Sequence, residues 1–187
     1  MITHVHFFML LLLCHMRTDI ILYSAPLFVQ YTLGFIILGL RNALNQLSVP
    51  FPSSGWNLNW NCAGKPLTSS TIAIFGLGLI AKSLIEEIRK LAPDARIIYT
   101  VPKIRRDFDA EIKMNLEYIS DLKDLASQCV ILLPLCSLKK TTEHLISKEI
   151  LACLKSDAGL INVSRGKIGD KLRTKKDALD AELIVIK

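Results

Sequence analysis

The sequence predicts an α/β fold built on a parallel sheet that is covered by helices on both faces. From about residue 70 onward, short apolar runs alternate with stretches whose apolar residues recur at helical spacing. The runs lack regular polar alternation, which is typical of strands buried on both faces of a doubly wound sheet. A glycine-rich turn joins the first run directly to a helical stretch. The chain ends soon after the last long run, so we expect a sheet that is incomplete at its C-terminal edge.

The composition excludes several classes of protein. The chain has 187 residues, of which 51% are hydrophobic and 21% charged, which indicates one folded domain and excludes disordered and collagen-like chains. The net charge is +6, but the basic residues form no stripe of the kind that binds nucleic acid. Five cysteines without a CxxC pair and four histidines without ligand spacing predict neither a disulfide framework nor a metal site. Reduced thiols of this kind favour a cytoplasmic location.

The segment before the glycine turn is unusually apolar. Residues 20–40 contain no charge, so a small membrane-anchored protein is one interpretation. Pro26 and the polar residues among the apolar ones instead favour a short strand at 20–24, a turn, and a buried globular helix at 27–46. Residues 48–70 are rich in Pro, Ser, Gly and Asn and are predicted to be a linker.

The first strand–turn–helix unit carries the clearest functional signal. A predicted strand at 71–75 is followed by Gly-Leu-Gly-Leu-Ile-Ala and then by a helix and a second strand at 96–100. In such a G-x-G-x-x-A turn, Gly76 permits the tight turn, Gly78 lets the backbone approach a pyrophosphate, and Ala81 keeps the helix close to the strand. The helix N-terminus then offers unpaired N–H groups to phosphates. This arrangement predicts a dinucleotide site, with a glycine turn of some other α/β protein as the alternative.

Shorter elements continue the alternation to the end of the chain. Helices are expected at 82–91, at 121–127 with Ser120 as N-cap, and at 148–154 with Ser147 as N-cap. Strands are expected at 115–120, 129–133 and 159–163, with one short additional strand at 183–186. Ligands of such sheets bind beyond the carboxyl ends of the strands, so the residues that follow each strand are the site candidates.

The end of the second strand bears on the identity of the dinucleotide. An acidic residue there would hold the ribose hydroxyls of NAD, but the sequence has none and continues with three basic residues. This favours NADP, with the 2′-phosphate held by Thr100 and by Arg105 or Arg106. NAD is the alternative, since Asp107 and Asp109 partly offset the basic charge.

Arg165 follows the run at 159–163 and precedes a glycine, on the ligand side of the predicted sheet. A guanidinium can hold a carboxylate through two parallel hydrogen bonds. We therefore expect Arg165 to bind an acidic substrate, although a lone arginine in a loop is more often a surface charge.

The order GLGLIA, then LPL, then TTEHLISKEILACLKSDAGLINVSRGKIGD resembles the cofactor domain of the D-isomer-specific 2-hydroxyacid dehydrogenases. This family includes glyoxylate, hydroxypyruvate and phosphoglycerate-type enzymes. The resemblance covers residues 24–170 and is most specific in INVSRG, and it implies a Rossmann-like NAD(P)-binding domain with the 27–46 helix leading into it. Residues 1–23 are then an unassigned apolar segment, and residues 171–187 a divergent tail.

The resemblance also implies roles for individual residues. Arg165 would be the catalytic position that binds the carboxylate of a 2-keto or 2-hydroxy acid and orients its keto group. The cofactor positions are Gly76, Gly78, Leu79 and Ile80 at the pyrophosphate, Pro134 and Val163 near the nicotinamide, and Thr142 and Ser164 elsewhere along the cofactor. The partners would be the small acid and either a second copy of the chain or an intact relative, paired through the 27–46 helix.

The chain also departs from the family pattern. The family's acid/base histidine and its supporting glutamate follow the arginine, but here no histidine follows His144, and Glu182 has no matching surroundings. The N-terminal substrate domain has no counterpart. A general acid contributes about 10²–10⁴-fold to such a reaction, so its loss weakens turnover strongly. Two main hypotheses follow: an NAD(P)-dependent oxidoreductase truncated at both ends, or a catalytically inactive dinucleotide-binding or pairing subunit.

Overall fold

The computed structural model of the protein describes residues 18–41, 64–102, 106–164, 168–169 and 184–186. Its α-helices are α1 (Thr18–Leu40), α2 (Leu79–Leu91), α3 (Phe108–Met114), α4 (Leu122–Gln128) and α5 (Lys148–Cys153). Its strands are β1 (Thr71–Phe75), β2 (Arg96–Thr100), β3 (Leu116–Tyr118), β4 (Ile131–Pro134), β5 (Gly159–Ile161) and β6 (Ile184–Ile186). A short 3₁₀-helix, Leu67–Ser69, precedes β1.

The strands form one sheet in the order β3-β2-β1-β4-β5-β6. The pairs from β3 to β5 are all parallel, which confirms the predicted doubly wound sheet, and β6 lies antiparallel to β5. The short strand predicted at 183–186 is therefore present as β6. The chain leaves β3 at one edge and returns beside β1, so the strand order reverses between β1 and β4. Ligands of open α/β sheets bind at such a reversal, beyond the carboxyl ends of the strands.

The core consists of two apolar layers, one on each face of the sheet. One layer packs α1 and α2 against the sheet and contains Ile36, Ile74 and Leu84, all fully buried. The other packs α4 and α5 against the opposite face and contains Phe75 and Leu125. Neighbouring residues of β1 thus enter different layers, as the uniformly apolar strand predicts.

Helix α1 corrects the prediction for the segment before the linker. The chain is helical without interruption over Thr18–Leu40 and includes Pro26, so the predicted strand at 20–24 and the turn are wrong. A proline inside a helix costs about 3 kcal/mol, but α1 packs on α2 through buried residues that recur every three or four positions. These are Ala25, Val29, Thr32, Ile36 and Leu40. That packing outweighs the local preference for a break.

The remainder of this segment is only partly described. Residues 42–46 of the predicted helix, residues 1–17 and most of the predicted linker lie outside the described residues. Among the helices that the structure describes, none is long and apolar enough to cross a membrane.

The other elements lie where the sequence predicts them, but several bounds, one N-cap and one helix differ. Strands β3 and β5 are shorter than the predicted 115–120 and 159–163, and β4 begins at Ile131 rather than at residue 129. Helix α2 begins at Leu79 rather than at residue 82, with Gly78 as its N-cap. Helix α3, whose Phe108 and Ile112 are exposed, was not predicted because its seven residues are too few to show a periodic pattern. Ser147 is the N-cap of α5 as predicted, without a hydrogen bond from its side chain.

The N-cap of α4 is Asp121, not the predicted Ser120. The Asp121 carboxylate accepts hydrogen bonds from the backbone N–H groups of Lys123 and Asp124, at 2.7 and 3.0 Å. We expect Asp121→Ala to lower the free energy of unfolding by about 1 kcal/mol, the usual effect of losing an N-cap. Ser120→Ala is the control and should leave the denaturation midpoint unchanged. A larger loss of stability for Ser120→Ala than for Asp121→Ala would show that Ser120 is the N-cap.

Candidate functional site

The turn after β1 brings two loops of the sheet into contact. Gly76 has a φ of +105°, and its N–H donates to the Thr100 carbonyl at 2.8 Å. A Cβ on Gly76 would lie 2.8 Å from the backbone N and Cα of Cys136, in the loop that follows β4. Only glycine satisfies both the backbone conformation and this close approach. The first predicted glycine therefore fixes the base of the crevice at the strand-order reversal.

Gly78 faces open space at the start of α2. Among the residues that the structure describes, none comes within 4 Å of a Cβ placed on Gly78, and none caps this helix end with its side chain. The N–H groups of the first helical turn, from Leu79 and Ile80 onward, have no acceptor within the helix. An anionic group can approach this backbone without steric hindrance and meet the positive end of the helix dipole. Ala81 is fully buried against the sheet, as its predicted packing role requires.

The loop after β4 forms the opposite side of the crevice. Pro134 is buried at the end of β4, and the next residue, Leu135, donates its N–H to the Phe75 carbonyl at 2.8 Å. Burial raises the pKa of the Cys136 thiol to about 11, so it stays protonated at neutral pH. Thr142 is buried, and its hydroxyl accepts from Lys139 N–H and donates to the Ser137 carbonyl, each at 2.8 Å. The structure thus gives Thr142 a role in shaping this loop.

The residues after β5 lie at the same end of the sheet. Val163 is buried, and Ser164 donates from its backbone N–H and its hydroxyl to Asn162 Oδ1, at 3.1 and 2.8 Å. Arg165, the predicted carboxylate ligand, lies outside the described residues.

A cleft of about 620 Å³ lies on the β2 side of the glycine turn. It is lined by Leu77, Val101, Arg106, Asp107, Phe108 and Asp109. Leu77 and Val101 place the cleft just beyond the ends of β1 and β2. This is the end of the sheet where ligands of such folds bind, so the cleft is a candidate ligand site.

Arg106 is held at this cleft by a carboxylate and two aromatic rings. Its Nε and Nη2 donate to the two Glu111 carboxylate oxygens at 3.0 and 2.6 Å. Its Cζ lies 4.6 Å from the centroid of the Phe108 ring and 4.7 Å from that of Tyr118. The hydrogen bond with Glu111 raises the pKa of Arg106 and holds that of Glu111 below its ordinary value. Both groups are therefore charged at neutral pH.

Two further contacts complete the cleft. The Tyr99 hydroxyl donates to Glu111 Oε1 at 2.5 Å, and burial, reinforced by this bond, raises the pKa of Tyr99 to about 12. Lys82 Nζ lies 2.5 Å from Asp107 Oδ2, so the first turns of α2 and α3 are joined across the cleft. Asp107 also caps α3 by accepting from the Ala110 N–H at 3.1 Å.

Of the residues predicted to hold a 2′-phosphate, the structure places Arg106 but not Thr100 at the cleft. Arg106 lines the cleft, whereas the Thr100 side chain is buried and its carbonyl holds Gly76. Arg105 lies outside the described residues. Glu111 and Tyr99 were not predicted as site residues, and only the alternation of charge in the segment after β2 indicates the ion pair. Among the described residues no cluster of His, Cys, Asp or Glu could hold a metal ion.

The strand order and the open glycine turn define the class of this protein as a Rossmann-like α/β domain of the NAD-binding type. The family description "D-isomer specific 2-hydroxyacid dehydrogenase, NAD binding domain" matches residues 35–181. The chain therefore belongs to the D-isomer-specific 2-hydroxyacid dehydrogenase family, which confirms the resemblance found in its sequence.

Curated relatives are about 30% identical to the chain over the aligned residues. The chain is 33% identical over 115 residues to a glyoxylate reductase/hydroxypyruvate reductase of Homo sapiens, covering 62% of this chain and 34% of that protein. It is 30% identical over 145 residues to a glyoxylate reductase of Thermofilum pendens, covering 75% of this chain and 41% of that protein. The chain thus spans well under half the length of these relatives.

Solved structures show the same fold at lower identity. A formate dehydrogenase of Granulicella superposes with a TM-score of 0.68 at 21% identity, covering 79% of this chain and 39% of that one. The apo form of D-mandelate dehydrogenase from Rhodotorula graminis gives a TM-score of 0.67 at 19% identity, with 79% and 44% covered.

Proposed function

We propose that the chain binds a nicotinamide dinucleotide across the β1–β4 reversal and serves an oxidoreductase reaction between NAD(P)H and a 2-keto or 2-hydroxy acid. The observation that carries this proposal is the uncapped N-terminus of α2 beside Gly78, where a pyrophosphate meets open backbone N–H groups. The adjoining cleft would take the adenosine. The family membership and the names of the curated relatives support a substrate of the glyoxylate or hydroxypyruvate type.

The residues present fit this cofactor. Gly76 and Gly78, together with the first turn of α2, would hold the pyrophosphate, and the buried apolar side chains of Pro134 and Val163 would exclude water near the nicotinamide. The cofactor, when bound, supplies or accepts the hydride. Arg165 would hold the substrate carboxylate through its planar guanidinium.

We further propose NADP as the preferred dinucleotide. The support is the basic run after β2, which ends in Arg106 at the cleft, together with the lack of an acidic residue at the carboxyl end of β2. Asp107 and Asp109 also line the cleft and oppose this preference. A fluorescence titration of the purified chain with NADPH and then NADH tests both proposals. Saturable binding that is tighter for NADPH is the expected result, and equal binding would contradict the preference alone.

A second candidate function is dinucleotide binding without turnover, as a partner for another copy or an intact relative. The observation that favours it is the apolar surface of α1, where Leu27, Ile37 and Leu38 are exposed and available for pairing. Oxidation of NADPH by the chain with glyoxylate or hydroxypyruvate separates the two, because only the enzyme hypothesis predicts turnover.

We expect Gly78→Ala to weaken binding of NADPH and NADH about tenfold while lowering the free energy of unfolding by at most about 1 kcal/mol, because Ala is a weaker N-cap than Gly. The added Cβ would meet no atom of the described residues within 4 Å but would project toward the space proposed for the pyrophosphate. Titrations of the variant and the wild type measure the change, and thermal unfolding shows that the fold is intact. Unchanged binding of both dinucleotides would place the pyrophosphate elsewhere.

A further inference from the structure

Glu111 stands behind Arg106 when the pair is approached from the solvent. The Arg106 side chain is 37% exposed and that of Glu111 only 11%. A ligand in the cleft would therefore meet the guanidinium first, because Arg106 and not Glu111 is among the lining residues. The hydrogen bonds of this ion pair are donated by Nε and Nη2 of Arg106 and do not involve its Nη1.

The Glu111 carboxylate is held in place by its hydrogen bonds with Tyr99 and Arg106. Tyr99 is fully buried in β2 and donates to Glu111 Oε1 at 2.5 Å, so the carboxylate cannot turn away without losing a hydrogen bond. Tyr118 packs edge-on against Tyr99 with ring centroids 5.4 Å apart, and the same Tyr118 ring contacts Arg106. The ion pair is thus a fixed part of the cleft rim.

Charge compensation extends over the described part of the cleft. Lys82 is paired with Asp107, Arg106 is paired with Glu111, and Asp109 adds a further carboxylate. Arg106, the cation among the described lining residues, therefore has an acidic partner, and so does Lys82, which pairs with the lining residue Asp107. A 2′-phosphate carries up to two negative charges, and its attraction to Arg106 is reduced by the negative charge directly behind that side chain.

We infer that Glu111 is a specificity-determining residue that lowers the preference of this cleft for nucleotides with a 2′-phosphate, and this rests on the proposed dinucleotide binding. Glu111 acts through Arg106 rather than by touching the nucleotide. It lets NADH compete at a site whose basic run would otherwise select NADPH strongly.

The test compares adenosine 2′,5′-bisphosphate with ADP, which differ at the 2′-phosphate and the 5′-terminal phosphate, and repeats the comparison with NADPH and NADH, which differ only at the 2′-phosphate. Glu111→Gln keeps the shape and a hydrogen-bond acceptor for Tyr99 and Arg106 but removes the charge. We expect this variant to bind adenosine 2′,5′-bisphosphate and NADPH about three- to tenfold more tightly, with ADP and NADH affinities unchanged. Isothermal titration of the full chain measures all four affinities.

Glu117→Gln is the matched control. Glu117 makes the same kind of ion pair with Arg96, at 2.8 Å, but Arg96 begins β2 and so lies at the opposite end of the strand from the cleft. Its neutralisation should change none of the four affinities. Weaker binding of all nucleotides by Glu111→Gln would indicate a structural role only, and unchanged binding would equally overturn the inference.

The wild-type chain separates failure of this inference from failure of the proposed function. If wild type binds ADP and NADH and Glu111→Gln does not tighten the 2′-phosphate ligands, the inference alone fails. If wild type binds none of the four nucleotides, the proposed function fails and the inference fails with it.

Discussion

Gly76→Ala is expected to lower the free energy of unfolding by about 3–5 kcal/mol, because it combines backbone strain with a steric clash. The residue adopts a φ of +105°, which an L side chain rarely tolerates. The new Cβ would also lie 2.8 Å from two backbone atoms of Cys136, and backbone cannot rotate out of the way as a side chain can. Urea denaturation of the variant and the wild type measures the loss, which is a large part of the total stability of a domain this size.

Gly78→Ala, the binding variant proposed above, is also the matched control for this substitution. Both changes add one methyl group to the same turn, but Gly78 has an ordinary φ of −90° and open space around it. Its stability should stay within about 1 kcal/mol of wild type, since the main cost is replacing Gly by Ala at the N-cap of α2. If Gly76→Ala is equally well tolerated, then the turn after β1 does not contact the loop after β4, and the crevice is not formed as described.

The sheet and its glycine turn could be predicted because their signals are local. The strands predicted at 71–75 and 96–100 coincide with β1 and β2, since each is a short β-branched or aromatic run with clear boundaries. The role of Gly76 follows from the positive φ that the turn requires, whereas the role predicted for Gly78 depends on the missing side chain beside the start of α2. The family resemblance added the expectation of a Rossmann-like domain, which the strand order then confirmed.

Helix α1 shows where local reasoning fails. Pro26 predicts a break, yet the helix continues through it because its buried face packs along α2, a contact between segments about 50 residues apart in the chain. The N-cap of α4 was predicted one residue too early for a more local reason. Ser120 and Asp121 are both good capping residues, and only the geometry shows which side chain accepts the hydrogen bonds.

The charge pairs of the candidate site were also beyond the reach of the sequence. A basic run after β2 predicts phosphate binding, but the sequence does not show that Glu111 neutralises Arg106 or that the buried hydroxyl of Tyr99 fixes Glu111. Those contacts depend on α3, a helix too short to leave a periodic signal. The proposed cofactor preference therefore depends on contacts that form only in the folded chain.

Arg89 is the strongest case of a structural role that its sequence position conceals. It is a basic residue in the last turn of α2, where a favourable interaction with the helix dipole is all that the sequence predicts. In the structure its guanidinium donates to four carbonyls, two after the end of α2 and two at the end of α3. The acceptors are Pro93 at 2.8 Å, Ala95 at 2.5 Å, Met114 at 2.9 Å and Asn115 at 2.7 Å.

We expect Arg89→Ala to lower the free energy of unfolding by about 2–3 kcal/mol, because four carbonyls lose a charged donor and two of these bonds are partly buried. Arg89→Lys should recover less than half of the loss, since an ammonium group cannot reach both helix ends with a planar fork. Lys90→Ala is the control, because its only described partner is Glu87 in an exposed pair whose loss costs at most about 0.5 kcal/mol. Chemical denaturation gives all three values. If Arg89→Ala and Lys90→Ala are equally mild, the connection between α2 and α3 does not depend on this side chain, and the cleft that α3 helps to line must be held by the Lys82–Asp107 pair instead.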